Sequence, residues 1–265
     1  MPDSEDSLIE KPKNIICKEK DGMFQIFLNR PPSNAFSAEM VEEINRTLSD
    51  LLYRTDLKLV IFLAAGKNFC GGLSPEDVSE DDRSYQLIEA LGRMYEQMQN
   101  LNIPLLSVVQ GLTLGAGFEL AIYSDLCIAA ESAKFGFPEI RMGLFPAIAC
   151  NILPRYISPK RAAELIFTGD LISAREAEKY GLVNSVVPDE KLSEQAGLMV
   201  GKLLQFSAPV LQLTKKAMIE SQAKPVDSAI QSVESIYLNE LLGLDDAQEG
   251  IKAFMEKRKP VWKNQ

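Results

Sequence analysis

The sequence predicts an α/β fold, and three observations support that prediction. Short apolar stretches rich in β-forming residues recur along the first two-thirds of the chain. Helical patterns separate these stretches, so successive strands need crossover connections. From residue 192 onward almost the whole chain has a helical pattern. We therefore expect a mixed core followed by a helical C-terminal region.

The elements of the core follow in chain order. The predicted strands cover residues 14–18, 23–28, 57–63, 105–110 and 126–130. Two helices are predicted between them, over 37–53, with Ser37 as the N-cap, and over 84–101. A third, short helix should begin just after Gly117, where the run Gly115-Ala116-Gly117 ends. Strands and helices therefore alternate through this part of the chain.

Capping signals mark the helices of the later part. Ser158 precedes a proline that suits a first helical turn, and Ser173 has the capping-box spacing to Glu176. A short strand is predicted near 182–187. The breaks expected within the helical C-terminal region are at Pro209, Pro225 and residues 243–246. We predict a flexible tail (1–12), a core domain (13–200) and a C-terminal helical oligomerisation region (201–265).

An apolar stripe supports the oligomerisation prediction, because it needs a partner surface. Its residues are Ile230, Val233, Ile236, Tyr237 and Leu241.

The composition argues against several classes of function. A net charge of -9 leaves no excess of Lys or Arg to neutralise the phosphates of a nucleic acid. The four cysteines have no CxxC spacing and the chain has no histidine, so we expect no metal site but buried free thiols in a reducing compartment. The N-terminus is acidic, unlike a targeting presequence, and no apolar run reaches the length of a membrane span. We expect a soluble cytoplasmic protein that binds no nucleic acid and no membrane.

The lack of histidine also restricts acid–base chemistry to carboxylates, Cys, Lys or Tyr. Two glutamates lie in apolar surroundings. Glu119 closes the run that starts at Gly111, and Glu139 follows Phe135-Gly-Phe-Pro138. In such surroundings a carboxyl group has a raised pKa and can both donate and accept a proton. These two side chains are the candidate catalytic groups.

Each of the three segments that could form a site also has a purely structural interpretation. Gly71 and Gly72, which follow a predicted strand, can expose backbone N–H groups or form a plain β-turn. Glu119, at a helix N-terminus, can take part in chemistry or merely complement the helix dipole. Glu139 can be a loop carboxylate paired with Arg141. Singly the segments are ambiguous, but their combination in this order is specific.

In this combination the chain resembles the crotonase (enoyl-CoA hydratase/isomerase) superfamily, from about residue 23 to the C-terminus. The matching segments are Leu28-Asn-Arg-Pro31, Asn68-Phe-Cys-Gly-Gly-Leu73, Gly115-Ala-Gly-Phe-Glu-Leu-Ala121, Ala133-Lys-Phe-Gly-Phe-Pro-Glu139, Thr168-Gly-Asp170, Gly181-Leu-Val-Asn184 and Glu249-Gly-Ile-Lys-Ala-Phe-Met-Glu-Lys-Arg258. The resemblance implies a core of repeated ββα units wound as a superhelix. It also implies C-terminal helices that build a homotrimer, commonly doubled to a homohexamer.

The resemblance also assigns roles to individual residues. The backbone N–H groups of Leu73 and Ala116 would form an oxyanion hole, with Glu119 and Glu139 as the catalytic carboxylates. The substrate-binding positions would be Ala35, Gly72, Gly115, Ile148, Phe254 and Lys257. The last two match positions that contact the CoA nucleotide, although helix packing and a solvated lysine are the alternative there. No metal and no cofactor are implied, because CoA arrives as part of the acyl-CoA substrate.

Departures from the family pattern fall at three places. Ser74 replaces an acidic residue after the oxyanion loop, and Pro32 replaces a lysine near the CoA phosphates. Ile148, Ala149 and Cys150 replace glycines in the loop after the second glutamate. Their bulk should reshape the acyl pocket, and this loop looks most like that of cyclohexa-1,5-diene-1-carbonyl-CoA hydratases.

We therefore expect an enoyl-CoA hydratase that adds water syn across the α,β double bond, with a cyclic dienoyl-CoA as one candidate substrate. Two alternatives stay open. A double-bond isomerase can work with one carboxylate, and a non-catalytic acyl-CoA-binding subunit is expected to have lost a glutamate or the loop glycines. Both glutamates and both glycines are present here. The sequence leaves undecided the acyl group, the direction of the reaction, and trimer versus hexamer.

Overall fold

The computed structural model describes residues 14–222 and 224–264, and the predicted tail over 1–12 lies outside them. The strands are β1 (Ile15–Lys20), β2 (Met23–Leu28), β3 (Leu59–Ala64), β4 (Leu105–Val109), β5 (Leu112–Leu114), β6 (Leu126–Ala130), β7 (Lys134–Gly136), β8 (Ile172–Ser173) and β9 (Ser185–Val187). The helices are α1 (Ala38–Leu51), α2 (Pro75–Ser79), α3 (Asp81–Asn100), α4 (Ala116–Tyr123), α5 (Ala149–Tyr156), α6 (Pro159–Thr168), α7 (Ala174–Lys179), α8 (Leu192–Leu204), α9 (Ala208–Gln222), α10 (Val226–Asn239) and α11 (Asp245–Met255). Short 3₁₀ helices span Pro138–Met142, Asp189–Lys191 and Leu241–Gly243. The α/β fold class with a helical C-terminal region is confirmed.

The larger sheet has six strands in the order β1-β2-β3-β4-β6-β9. β1 pairs antiparallel with β2, and each later pair in this sheet is parallel. Since parallel strands point the same way, the carboxyl ends of β3 and β4 lie at one end of the sheet. The loops that leave those ends lead to Leu73 and to Ala116, so the topology brings both positions to the same region.

A second sheet, in the order β5-β7-β8, is a feature that the sequence did not predict. Its strands are two or three residues long, too short to show an alternating pattern. β5 and β7 pair in parallel, and the chain continues from them directly into Ala116 and toward Glu139. This small sheet therefore aligns the two segments that carry the candidate carboxylates. Two strands precede a helix in β1-β2-α1 and in β4-β5-α4, whereas β3 alone precedes α2 and α3.

Capping groups fix the helix starts where the sequence predicts them. Ser37 accepts a hydrogen bond from the Met40 N–H at the start of α1, and Ser158 caps α6 in the same way. Ser173 and Glu176 form the predicted capping box of α7. Each such cap typically contributes about 1 kcal/mol. On one face of the large sheet, α1 and α3 enclose the main core, and α8 packs on the opposite face.

Several predicted boundaries differ from the observed ones, as at the start of α3, which is Asp81 rather than residue 84. Helix α4 begins at Ala116 rather than after Gly117, because Gly115 alone makes the turn, with φ +49°. Gly117 is instead required for close packing, since a Cβ there would lie 2.4 Å from the Cβ of Cys70. The segment after Glu139, a loop on the family pattern, becomes helical at Ala149, although Pro154 argues against a helix there. As predicted, most of the chain from residue 192 onward is helical, and the last helix ends at Met255.

The C-terminal helices are anchored to the core through buried polar contacts. The Lys215 ammonium on α9 lies 2.7 Å from the Asp125 carboxylate and donates to the Ile103 carbonyl at 3.0 Å. Further along, Ile230 and Tyr237 of the predicted stripe are exposed on α10, whereas Ile236 is buried. In the part of the chain that the structure describes, no single helix has the length and hydropathy of a membrane span. The segments Asp189–Leu204 and Ala208–Gln222 meet that criterion only as a pair bent by 99°.

Candidate active site

Glu119 lies on α4, where each residue from Ala116 to Ile122 is buried. Its side chain is 1% exposed, and its Oε1 accepts hydrogen bonds from the backbone N–H groups of Ile148 (2.8 Å) and Ala149 (2.7 Å). Burial raises the pKa of this carboxyl group to about 7, against the lowering effect of those two bonds, and the charge of Glu139 raises it further. Glu119 is thus a fixed acid–base group that can gain or lose a proton near neutral pH.

Glu139 lies in the 3₁₀ helix that follows β7, and it is 5% exposed. Its Oε2 is buried and has no hydrogen-bond partner among the residues that the structure describes. Burial raises the pKa of this carboxyl group, opposed by a hydrogen bond to its own backbone N–H. Because a buried polar atom without a partner is uncommon, this oxygen is available to a substrate or to water.

Two glycines allow the backbone to approach Glu139 closely. A Cβ built on Gly115 would lie 2.0 Å from the Glu139 Oε1 and 3.5 Å from the Cα of Gly72. Gly115 also has φ +49° and Gly72 has φ +107°, conformations that side chains disfavour. The segments that carry Leu73, Ala116 and Glu139 therefore meet at one place, and no other residue type fits at Gly115.

The backbone N–H groups of Leu73 and Ala116 remain available at this meeting point. The Phe36 N–H donates to the Gly72 carbonyl and the Ser74 N–H donates to the Phe36 carbonyl, both at 2.8 Å, which fixes the peptides on either side of Leu73. Ala116 is the first residue of α4, so its N–H has no acceptor within the helix. Within residues 14–222 and 224–264, neither N–H has an acceptor. Two such donors can stabilise a negative oxygen that develops in a reaction.

Asn34 is a supporting residue whose role was missed from the sequence. It is buried, has φ +52°, and donates from Nδ2 to the carbonyls of Ala65 and Asn68 at 2.8 Å each. Its Oδ1 accepts from the Arg30 N–H at 2.7 Å. Asn34 therefore ties the segment after β2 to the loop after β3. The matching motif includes Arg30 and Asn68, but only the folded chain shows that Asn34 joins them.

The structure brings together most of the predicted site residues. Ala35 is half-buried, and its carbonyl accepts from the Arg30 guanidinium at 2.9 Å beside this loop. The N–H of Ile148 contacts Glu119, as described above. Phe254 is 85% exposed on α11, and Lys257 follows that helix with φ +54°. No contact among the described residues brings these last two side chains to the glutamates.

One structural alternative and one expectation about neighbouring residues are not supported. Arg141 does not pair with Glu139, because its guanidinium lies 2.8 Å from the Asp170 carboxylate at the surface. Cys150, on α5, is exposed rather than buried and Cys17 is half-buried, whereas Cys70 and Cys127 are buried as predicted. The pKa of the Cys150 thiol is raised by partial burial and by the charges of both glutamates, so it lies near them. Within the described residues, no three acidic, Cys or His side chains are grouped to hold a metal.

Comparison with known proteins gives a consistent result. The sequence model of the family described as Enoyl-CoA hydratase/isomerase matches residues 18–265. Cyclohexa-1,5-dienecarbonyl-CoA hydratase of Thauera aromatica is 32% identical over 249 residues, covering 93% of this chain and 95% of that protein. Enoyl-CoA hydratase domain-containing protein 3 of Homo sapiens, a mitochondrial protein, is 31% identical over 262 residues, covering 96% and 85%.

Solved structures support the same assignment. An enoyl-CoA hydratase from Bacillus anthracis superimposes with a TM-score of 0.90 at 31% identity, covering 96% of this chain and all of that one. The human domain-containing protein 3 superimposes with a TM-score of 0.89 at 29% identity, covering 94% of this chain and 100% of that one. The predicted crotonase resemblance is therefore confirmed, and the chain is a member of the enoyl-CoA hydratase/isomerase family.

Proposed function

We propose that this protein is an enoyl-CoA hydratase, adding water syn across the α,β double bond of an acyl-CoA thioester. The observation that carries the proposal is the pair of buried carboxyl groups, Glu119 and Glu139, beside two backbone N–H groups that have no acceptor among the described residues. Hydration needs a group that activates water and a group that exchanges a proton with carbon. An isomerase can work with one carboxylate, so two buried acids favour hydration.

The backbone donors polarise the substrate. The thioester carbonyl oxygen would lie between the N–H groups of Leu73 and Ala116, where negative charge develops as water attacks the β-carbon. Because both donors are held by the backbone, they need no reorganisation during the reaction. One such donor typically contributes about 10²–10³ in rate. The substrate thus becomes enolate-like without help from a cationic side chain.

The two carboxylates take different roles. Glu119, ionised above its pKa of about 7, removes a proton from water as the oxygen bonds to the β-carbon. Glu139 would hold that water and, in its acid form, deliver a proton to the α-carbon as the enolate collapses. Its Oε2, which has no partner in the described chain, is the oxygen for that exchange. The two glutamates end the cycle with their protons exchanged, and water restores the starting state.

The acyl group is proposed to be compact, with a cyclic dienoyl-CoA as the first candidate. Ile148 is half-buried and packs against the main core beside Glu119, where it would narrow the path for a long flexible chain. One relative is named for a cyclic dienoyl substrate. Another, 2,3-dehydroadipyl-CoA hydratase of Escherichia coli, is named for a linear one. The pocket around Ile148 therefore has to be tested with both cyclic and linear enoyl-CoA thioesters.

We further propose that the enzyme is a cytoplasmic homotrimer or homohexamer that needs no cofactor beyond the CoA of its substrate. The exposed apolar side chains on α10 and the 85% exposed Phe254 support a subunit interface, which would also bring Phe254 and Lys257 to a neighbour's CoA. Light scattering should give a mass near three or six times 29.4 kDa. A clean monomer would remove the support for this interface.

The decisive experiment is incubation with linear and cyclic enoyl-CoA thioesters, followed by mass spectrometry. Hydration adds about 18 mass units, the mass of water, whereas isomerisation changes the retention time and not the mass. The matched control is a double variant, Glu119→Gln with Glu139→Gln, which keeps the shape of both side chains. A shift of the double bond without mass gain supports the isomerase alternative. Tight acyl-CoA binding without any product supports the non-catalytic subunit.

A further inference from the structure

Tyr95 makes a polar contact that the proposed mechanism has not used. It lies on α3, is 4% exposed, and its hydroxyl donates to the carbonyl oxygen of Ala116 at 3.3 Å. Its ring packs edge-on against Tyr123, with centroids 5.0 Å apart and planes at 62°. A buried hydroxyl needs a partner, and this one uses the first residue of α4.

Ala116 is where a distortion of α4 would matter most. Its N–H is one of the two proposed oxyanion donors, and Glu119 lies on the same first turn. A carbonyl has two acceptor sites, so the phenol adds to the helical bond and does not replace it. The N-cap residue, Gly115, has no side chain that could cap this turn. Tyr95 therefore gives this turn a side-chain hydrogen bond of another kind: it donates to a carbonyl, whereas a cap side chain would accept from an N–H.

Burial keeps the phenol in its donating form. The pKa of Tyr95 is raised well above its ordinary value by burial first, and then by the negative charge of Glu119. The phenol therefore stays protonated whenever Glu119 changes its ionisation. The contact to Ala116 does not switch off during a catalytic cycle.

We propose that Tyr95 is a positioning residue: its phenol holds the first turn of α4 so that the Ala116 N–H and the Glu119 carboxyl group face the same reacting atoms. This inference rests on the proposed hydratase function for its effect on turnover, but the hydrogen bond to Ala116 does not. A small shift of a donor or an acid away from its working position costs about 10- to 100-fold in rate.

The test is Tyr95→Phe, with Tyr123→Phe as the matched control. Both changes remove one hydroxyl from the same pair of rings. Tyr123 is the last residue of α4, and among the described residues its hydroxyl donates to the Gln99 side chain on α3 at 3.3 Å, away from the first turn. Tyr95→Phe should lower kcat about 10-fold while KM for the acyl-CoA stays within about twofold. Tyr123→Phe should leave kcat unchanged. Both variants should show the same small change in melting temperature.

A second measurement reports the oxyanion donors directly. A saturated acyl-CoA binds but cannot be hydrated. Relative to the free thioester, its carbonyl stretching frequency should be lowered when it is bound to the wild type, and lowered by a smaller amount when it is bound to Tyr95→Phe. The inference is overturned if the frequency and kcat of Tyr95→Phe match those of Tyr123→Phe. If the wild type hydrates no enoyl-CoA but the frequency change depends on Tyr95, the hydratase proposal fails and the positioning role stands.

Discussion

The two segments that carry the carboxylates hold them in different ways. In α4, Glu119 is locked by two backbone N–H groups from the start of α5, and its pKa is raised to about 7. In the 3₁₀ helix, Glu139 is comparably buried, yet its Oε2 has no partner within the described residues. The first acid has a fixed orientation and the second keeps an open acceptor. This difference supports giving them different reactants, water for Glu119 and the α-carbon for Glu139.

The largest expected effect separates these two roles. Glu119→Gln and Glu139→Gln should each lower kcat by about 10²–10⁴ with little change in KM, because a transition-state interaction is lost. Exchange of the α-hydrogen of a saturated acyl-CoA with deuterium should survive Glu119→Gln and disappear in Glu139→Gln. The exposed Glu131→Gln is the control for loss of a carboxylate. Equal loss of exchange in both variants would contradict the division of labour.

The second prediction concerns stability and pH. Since burial raises the folded pKa of Glu119 from 4.5 to about 7, the folded chain binds the proton more tightly than the unfolded chain. Stability is therefore lost as pH rises from 4.5 toward 7, by about 3 kcal/mol in total. Glu119→Gln has no carboxyl group here and does not lose this stability. The difference in unfolding free energy, variant minus wild type, should therefore increase by about 3 kcal/mol between about pH 4 and pH 8.

Urea unfolding at fixed protein concentration measures the difference at each pH. Glu139→Gln should change in the same direction, because burial raises its pKa too. A difference between wild type and Glu119→Gln that is independent of pH would show that Glu119 is not held in its neutral form by the fold.

The contact between Gly115 and Glu139 gives the third prediction. Gly115→Ala places a methyl group 2.0 Å from the Glu139 Oε1 and imposes φ +49° on a residue with a side chain. Glu139 must move, and we expect kcat to fall by about 10². Gly92→Ala, on an exposed face of α3 with nothing within 4 Å, is the control and should be stabilising by about 0.5–1 kcal/mol. Unchanged turnover in Gly115→Ala would mean that Glu139 works from another position.

The smallest effect concerns Ile148, whose N–H helps to lock Glu119. Ile148→Gly keeps that N–H but removes the side chain, so it tests the pocket rather than the acid. The ratio of kcat/KM for a cyclic dienoyl-CoA to that for crotonyl-CoA should exceed one in the wild type and fall about 10-fold in Ile148→Gly. A wild-type enzyme that prefers crotonyl-CoA would refute the substrate proposal and leave the roles of both glutamates intact.

Features of this structure could be predicted from the sequence when the interacting residues lie close together along the chain. Ser37, Ser158 and Ser173 cap their helices as expected, because a cap depends on residues three positions away. The strands of the small sheet escaped detection because two or three residues cannot show a period. Both carboxylates could be identified by their apolar neighbours.

The hydrogen bonds that orient the site could not be predicted in this way. The bonds from Ile148 and Ala149 to Glu119 join residues 29 and 30 positions apart, and the Tyr95 hydroxyl reaches across 21 positions. No local pattern encodes such contacts. Phe254 and Lys257 are different, because their predicted contact is with the CoA nucleotide and not with another residue of the chain.

Helix α4 also has a consequence for attempts to engineer this protein. Glu119 is its one charged residue, in a helix that is otherwise apolar and enclosed. A library selected only for heat resistance should therefore enrich neutral residues at this position, and the survivors would be inactive. A search for a more thermostable enzyme should measure turnover in parallel and should place its substitutions on the outer helices.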